Sequence, residues 1–208
     1  MERPDTAGPG AVIRHGNGNP HTLDLYEDPR CSYCARVERE LGPTIMRLAD
    51  EGVYDVAYHL AIFLDRGNSQ GGSTSAAAAL AAAADQGIDQ FVALRAALFE
   101  HRLEHGTDGF ADPDVLRGIA AQAPGVDLPA VGHAINEDRY RPWALEAGPE
   151  ALASLRAAWS AAELPGKAGT PAAFLDGEPV EVLTEAGEPL SPEEFEANVR
   201  VALEALDG

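Results

Sequence analysis

Positive charge is scarce in this chain of 208 residues. Fifteen lysines and arginines stand against 34 aspartates and glutamates, a formal net charge of −19, and Lys167 is the only lysine. Nucleic acid and anionic membrane surfaces both require a positive face, so neither is an expected partner. Long apolar runs are also missing. The strongest candidate, AAAALAAAA at 76–84, falls short of the ~18–20 residues that span a bilayer. The opening MERPDTAGPG lacks the apolar segment of a secretory signal. The expectation is a cytoplasmic protein, or an exported one whose leader has been removed. Cysteine is the third scarcity, with only Cys31 and Cys34. A reducing cytosol disfavours structural disulfides, and a lone C-x-x-C there is more often catalytic or metal-binding.

What is present suffices for one domain, or one domain with a large insertion: 45% of residues are hydrophobic. Residues 1–10 read as a disordered tail. AVIRH reads as a first strand and GNGNP at 16–20 as hairpin chemistry. TLDLYE alternates Leu23 and Leu25 with polar neighbours, the period of a strand that Asp28-Pro29 stops. From Cys31 the period changes, and Val37, Leu41, Ile45 and Leu48 share one helical face. Pro43 predicts a kink in that helix or a local break in its hydrogen bonding, and Gly52 its end. YDVAYHLAIFL, 54–64, is apolar on both faces and predicts a strand at the centre of a covered sheet. DRGNSQGG follows as a loop.

Between about 74 and 163 the pattern is helical throughout, with helices expected at 74–86, 88–105, 112–122, 127–137 and 149–163. AAFLDGEPVEVL then predicts a β-hairpin turning at Asp176-Gly177. SPEEFEANVRVALEAL predicts a helix with Ser191 as cap, Pro192 at its first position and Glu194 closing a capping box. The order β-α-β, helical block, β-β-α is that of an α/β sheet domain, 11–73 with 164–208, interrupted by an inserted helical domain, 74–163.

The two cysteines lie where the first clear strand gives way to a helix. Cys31 falls at the helix N-terminus, where unpaired N–H groups and the positive end of the dipole favour an anion. A thiolate is such an anion, and it is the nucleophilic form of cysteine. The dipole alone supplies about 0.3–1 kcal/mol, under one pKa unit, so a modest depression is expected. Glu27 and Asp28 oppose it and Arg30 assists. Cys34 lies on the same face, deeper in the helix, placed to attack a mixed disulfide formed at Cys31. Rival readings are half of a zinc site, completed by His101 and His105, and a purely structural pair; the spacing rules favour neither. The sequence therefore predicts no metal site.

The segment LYEDPRCSYCARVE resembles the active-site segment of DsbA-like thiol–disulfide oxidoreductases of the thioredoxin superfamily. GTPAAFLDGEPV, 169–180, resembles the second signature of that family. The resemblance spans roughly residues 20–205. It implies a thioredoxin-like fold with a large inserted helical domain, and catalysis by Cys31 and Cys34. It also implies substrate binding by Ser32, Tyr33, Thr170 and Pro171, with Thr170-Pro171 cis and facing the cysteines. The implied partners are a protein or small-molecule thiol or disulfide and a redox partner thiol, with no cofactor. The chain departs from the strongly oxidising members in carrying Ser32-Tyr33 where they place proline and histidine. A thiol-dependent reductase or isomerase on the same fold, and a non-catalytic redox-sensing module, are the alternatives.

Overall fold

In the computed structural model of the chain, residues 2–4, 12–105 and 109–206 are described; most of the expected tail lies outside them. Five strands and seven helices follow in the order β1 (Ile13–His15), β2 (Thr22–Glu27), α1 (Ser32–Asp50), β3 (Asp55–Leu60), α2 (Gly72–Ala84), α3 (Ile88–His105), α4 (Pro113–Ala120), α5 (Leu128–Asn136), α6 (Arg141–Ala161), β4 (Ala172–Leu175), β5 (Glu178–Val180) and α7 (Pro192–Leu206). The strands form one sheet in the order β1-β3-β2-β4-β5. Only β2 and β3 run parallel, with Leu23 opposite Val56 and Leu25 opposite Tyr58. The other three pairings are antiparallel.

Strand periodicity divides the core. Leu23, Leu25, Val56 and Tyr58 pack in one cluster with Val37 and Leu41 of α1 and Phe195 of α7. The alternate residues Tyr26 and Phe174 pack with Leu155 of α6 in another. Each fully buried Leu or Val of this kind is worth about 1.5–3 kcal/mol. The alanine-rich α2 is buried along nearly its whole surface and contacts α3, α5 and α6. Small side chains let those helices approach it from several sides.

Four local expectations are corrected. The segment 16–20 does not join β1 to β2 as a hairpin. The Asp55 carboxylate accepts the N–H groups of Asn17 and Gly18 at 3.1 and 2.9 Å, so the chain wraps the start of β3 and β1 pairs there, Ile13 opposite Tyr58. The third strand ends at Leu60 rather than continuing to Leu64, because the N–H groups of Phe63 and Leu64 turn to the Asp28 carboxylate. That strand is also not the middle of the sheet, a place taken by β2. Helix α1 continues through Pro43, and the expected local loss of hydrogen bonding falls on the carbonyl of Arg39, an exposed residue. Helix α6 starts at Arg141, eight residues before the expected 149, and accommodates Pro149 internally.

At the other end the local chemistry forms as read. Asp176 and Gly177 adopt φ of +50° and +92° in the β4–β5 turn, the left-handed pair that a tight hairpin requires. Ser191 N–H donates to Glu194 Oε2 at 2.9 Å, and Glu194 N–H to Ser191 Oγ at 3.2 Å. Ser191→Ala removes one half of this box. It is expected to cost about 1 kcal/mol and lower the thermal midpoint by about 2–4 °C, as measured by calorimetry.

Candidate active site

The site begins with a carboxylate that shapes the loop ahead of the cysteines. Asp28 Oδ1 accepts the N–H of Arg30 at 2.9 Å and the hydroxyl of Ser73 at 2.6 Å. Asp28 Oδ2 accepts the N–H groups of Phe63 and Leu64, both at 3.0 Å. Its carbonyl accepts the N–H of Cys31 at 2.9 Å. One residue thus joins the β2–α1 loop, the β3–α2 loop and the first turn of α2. Burial pushes its carboxyl above the ordinary carboxylate range, against the pull of those donors. Arg30 ties this loop to the next one. Its guanidinium binds the Asp65 carboxylate at 3.2 Å, and Asp65 also caps α2 through the N–H groups of Ser73 and Thr74.

This loop delivers Cys31 to the N-cap of α1 in extended conformation, φ −71° and ψ 119°. Its sulfur accepts the N–H of Cys34 at 3.5 Å. On the other side lies the Thr170 carbonyl, 3.5 Å away and able to accept from the thiol. The Thr170-Pro171 peptide bond is cis. Cys31 keeps 7% of its surface and Cys34 none. Both are free thiols, packed with Ala35 and Phe99 and flanked by Leu64 and Leu103.

The two sulfurs have opposite electrostatics. Cys31 is lowered from its ordinary 9.0 to about 6, chiefly because the Cys34 thiol donates to it. Burial opposes this shift, and the N–H groups of Cys34 and Tyr33 and the Thr170 side chain support it. The Thr170 hydroxyl is buried with no other hydrogen-bond partner. The depression exceeds what the helix dipole alone predicts, because directed donors add to it. Burial raises Cys34 well above its ordinary value, and the Cys31 sulfur and the Glu27 charge raise it further. Glu27 therefore bears on the second cysteine, where the sequence reading set it against the first.

The other expected residues lie around this pair. Ser32 is half-buried in the first turn of α1, and Tyr33 is 45% exposed beside the mouth of the site. The Arg36 guanidinium lies 4.6 Å from the Tyr33 ring centroid and donates to the Gly187 carbonyl at 2.9 Å. Gly187 has φ +77°, and a Cβ there would come 3.3 Å from the Tyr33 ring. The loop before α7 is thus seated against the C-x-x-C segment. Pro171 lines a groove of about 340 Å³ with Trp159, Leu164, Phe174 and Leu183. A larger groove, about 620 Å³, runs between α1 and α3; it shares Ala35 and Phe99 with the cysteine cluster, but neither sulfur lines it. Lys167 is exposed. The rings of His101 and His105 stack 4.1 Å apart. Among the described residues, no group of three His, Cys, Asp or Glu side chains is placed to hold a metal. No helix among them is long and apolar enough to cross a membrane.

A sheet with this strand order, a dithiol at the head of α1 and a cis proline facing it define a thioredoxin-fold protein of the DsbA type, with helices between β3 and β4. A family model described as "Thioredoxin" matches residues 13–199, and the chain belongs to that family. Among solved structures, the reduced disulfide bond oxidoreductase DsbG from Mycobacterium tuberculosis is 26% identical, with a TM-score of 0.65 over 95% of this chain and 89% of that one. MdbA from Corynebacterium diphtheriae, a thiol–disulfide oxidoreductase, is 21% identical with a TM-score of 0.71, covering 93% and 90%. Oxidized DsbA from Mycobacterium tuberculosis is 24% identical with a TM-score of 0.65, covering 92% of each chain. No curated protein matches the chain.

Proposed function

We propose that this protein is a thiol–disulfide oxidoreductase in which Cys31 is the nucleophile and Cys34 the resolving thiol. The observation that carries this reading is the split between the two sulfurs. Cys31 keeps a small opening to solvent and has its thiolate favoured near neutral pH; Cys34 is sealed and held protonated. In the reducing direction, the Cys31 thiolate attacks a substrate disulfide R–S–S–R′. A Cys31–S–S–R bond forms and R′S⁻ leaves. Cys34 then attacks the Cys31 sulfur; the Cys31–Cys34 bond forms, the bond to R breaks, and the Cys34 proton ends on the departing thiol. The substrate gains two electrons and the dithiol loses them. The reverse sequence oxidises a substrate dithiol.

Thr170 and Pro171 form the wall against which an extended cysteine-containing segment lies, with the Thr170 carbonyl as a backbone acceptor. Ser32 and Tyr33 complete the rim. The substrate is a protein or small-molecule thiol or disulfide, and a second thiol or disulfide returns the site to its starting state; no organic cofactor enters these steps. The named activities of the similar structures, thiol–disulfide and disulfide-bond oxidoreductases, support this reading. We assign 74–163 to an inserted helical domain and 11–73 with 164–208 to the sheet domain.

With dithiothreitol as electron donor, the protein is expected to accelerate insulin disulfide reduction well above the dithiothreitol background, read as turbidity of the released B chain. Turbidity that develops only at the background rate would assign the cysteine pair to a non-catalytic switch.

A further inference from the structure

Glu27, Glu38 and Arg95 form an ion cluster that the exchange steps above leave without a role. Glu27 closes β2 and is 1% exposed; Arg95 projects from α3 and is 3% exposed. Arg95 Nε donates to Glu27 Oε2 at 2.7 Å, and its Nη2 donates to Oε1, so both carboxylate oxygens are engaged. Its Nη1 donates to Glu38 of α1. The guanidinium also lies 5.0 Å from the Tyr58 ring centroid and 5.2 Å from that of Phe99. Phe99 packs in turn against Cys31, Cys34 and Ala35. One side chain from the helical block therefore grips the carboxylate that bears on Cys34 and stacks on the ring that packs against Cys34.

Stability alone is a weak reason for such a cluster. Buried ion groups can often be exchanged for apolar side chains of similar volume without loss of stability. Two carboxylates against one guanidinium leave one net negative charge beside a thiol that must ionise to react, and without Arg95 there would be two. We propose that Arg95 is a positioning residue for the resolving step: it clamps Glu27 and offsets its charge, so that Cys34 can ionise and attack the mixed disulfide. This rests on the reading of Cys34 as the resolving thiol. The guanidinium engages both oxygens of Glu27 and stabilises its ionised form, which makes it a poor proton acceptor for that step. Its charge instead counts against the Cys34 thiolate, consistent with its place among the causes that raise that thiol.

The probe dithiobis(nitrobenzoate) separates the two steps in a single turnover. Attack by Cys31 releases one coloured thiolate, and resolution by Cys34 releases the second. A one-unit rise in the Cys34 pKa cuts its thiolate fraction about tenfold, partly offset by greater nucleophilicity. Arg95→Met is therefore expected to slow the second release about three- to tenfold and leave the first within about twofold. Arg95→Lys, which keeps the charge, restores part of the rate. Glu27→Gln, which removes the opposing charge, accelerates the second release. Equal slowing of both releases in Arg95→Met would make the residue merely structural and overturn the proposal. So would a slower second release in Glu27→Gln, the result expected of a general base. If Arg95→Met does not fold, Glu27→Gln and Arg95→Lys decide the matter. Absence of a second release in the wild type would instead overturn the role given to Cys34.

Discussion

Cys31→Ser is expected to reduce insulin turnover to the dithiothreitol background, while Cys34 remains intact and inert. A serine hydroxyl does not ionise near neutral pH, and Cys34 is fully buried with its thiol held protonated. It cannot substitute as the attacking group. The loss is not one of folding. The Cys31 thiolate contributes to stability because its folded pKa lies below the ordinary value, 9.0 against about 6. That contribution is fully present above pH ~9 and is lost as pH falls through about 6. At pH 7 it amounts to about 1.4 kcal/mol, a fraction of the 5–15 kcal/mol typical of domains. The variant should therefore unfold cooperatively, with a modestly lowered midpoint and no catalysis. Substantial residual turnover would remove Cys31 from the nucleophilic role.

Cys34 variants are expected to fail differently. Cys34→Ser attacks normally through Cys31 and then stops, so mixed disulfides accumulate and are visible as adducts by mass spectrometry. Cys34→Ala stops at the same point and also deprives Cys31 of the donor that contributes most to its depression. The Cys31 pKa should rise from about 6 in Cys34→Ala and rise less in Cys34→Ser, which retains a hydroxyl donor. An unchanged Cys31 pKa in both variants would transfer the effect to the N–H groups of Cys34 and Tyr33.

The features legible in the sequence were those whose causes lie within a few residues. The box of Ser191 and Glu194, the Asp176-Gly177 turn and the position of Cys31 at a strand–helix junction are local chemistry. The link from GTPAAFLDGEPV to the cysteines was legible only through resemblance, since nothing local ties Thr170 to Cys31 139 positions away. Tertiary capture decided what local reading missed. Asp55 draws residues 17 and 18 away from a hairpin, and Asp28 ends β3 early by taking two of its expected N–H groups. Pro149 reads as a helix boundary, yet α6 runs through it, with Trp143 and Ala144 buried in the turns before it. Arg95 carries no motif at all. Its partner Glu27 is 68 positions distant, and a lone arginine in a predicted helix gives no sign that it will be buried. The size of the Cys31 shift was missed for the same reason: the dipole belongs to the helix, but the Cys34 thiol and Thr170 act through geometry.

The central claim is that Cys31 is an activated thiol beside a silent one, and titration of thiolate ultraviolet absorbance in the reduced wild type tests it most directly. The account predicts one thiolate appearing with a midpoint near pH 6, absent from Cys31→Ser, and no second ionisation until well above pH 9.0. A first midpoint at or above 9.0, or one that survives in Cys31→Ser, would contradict it.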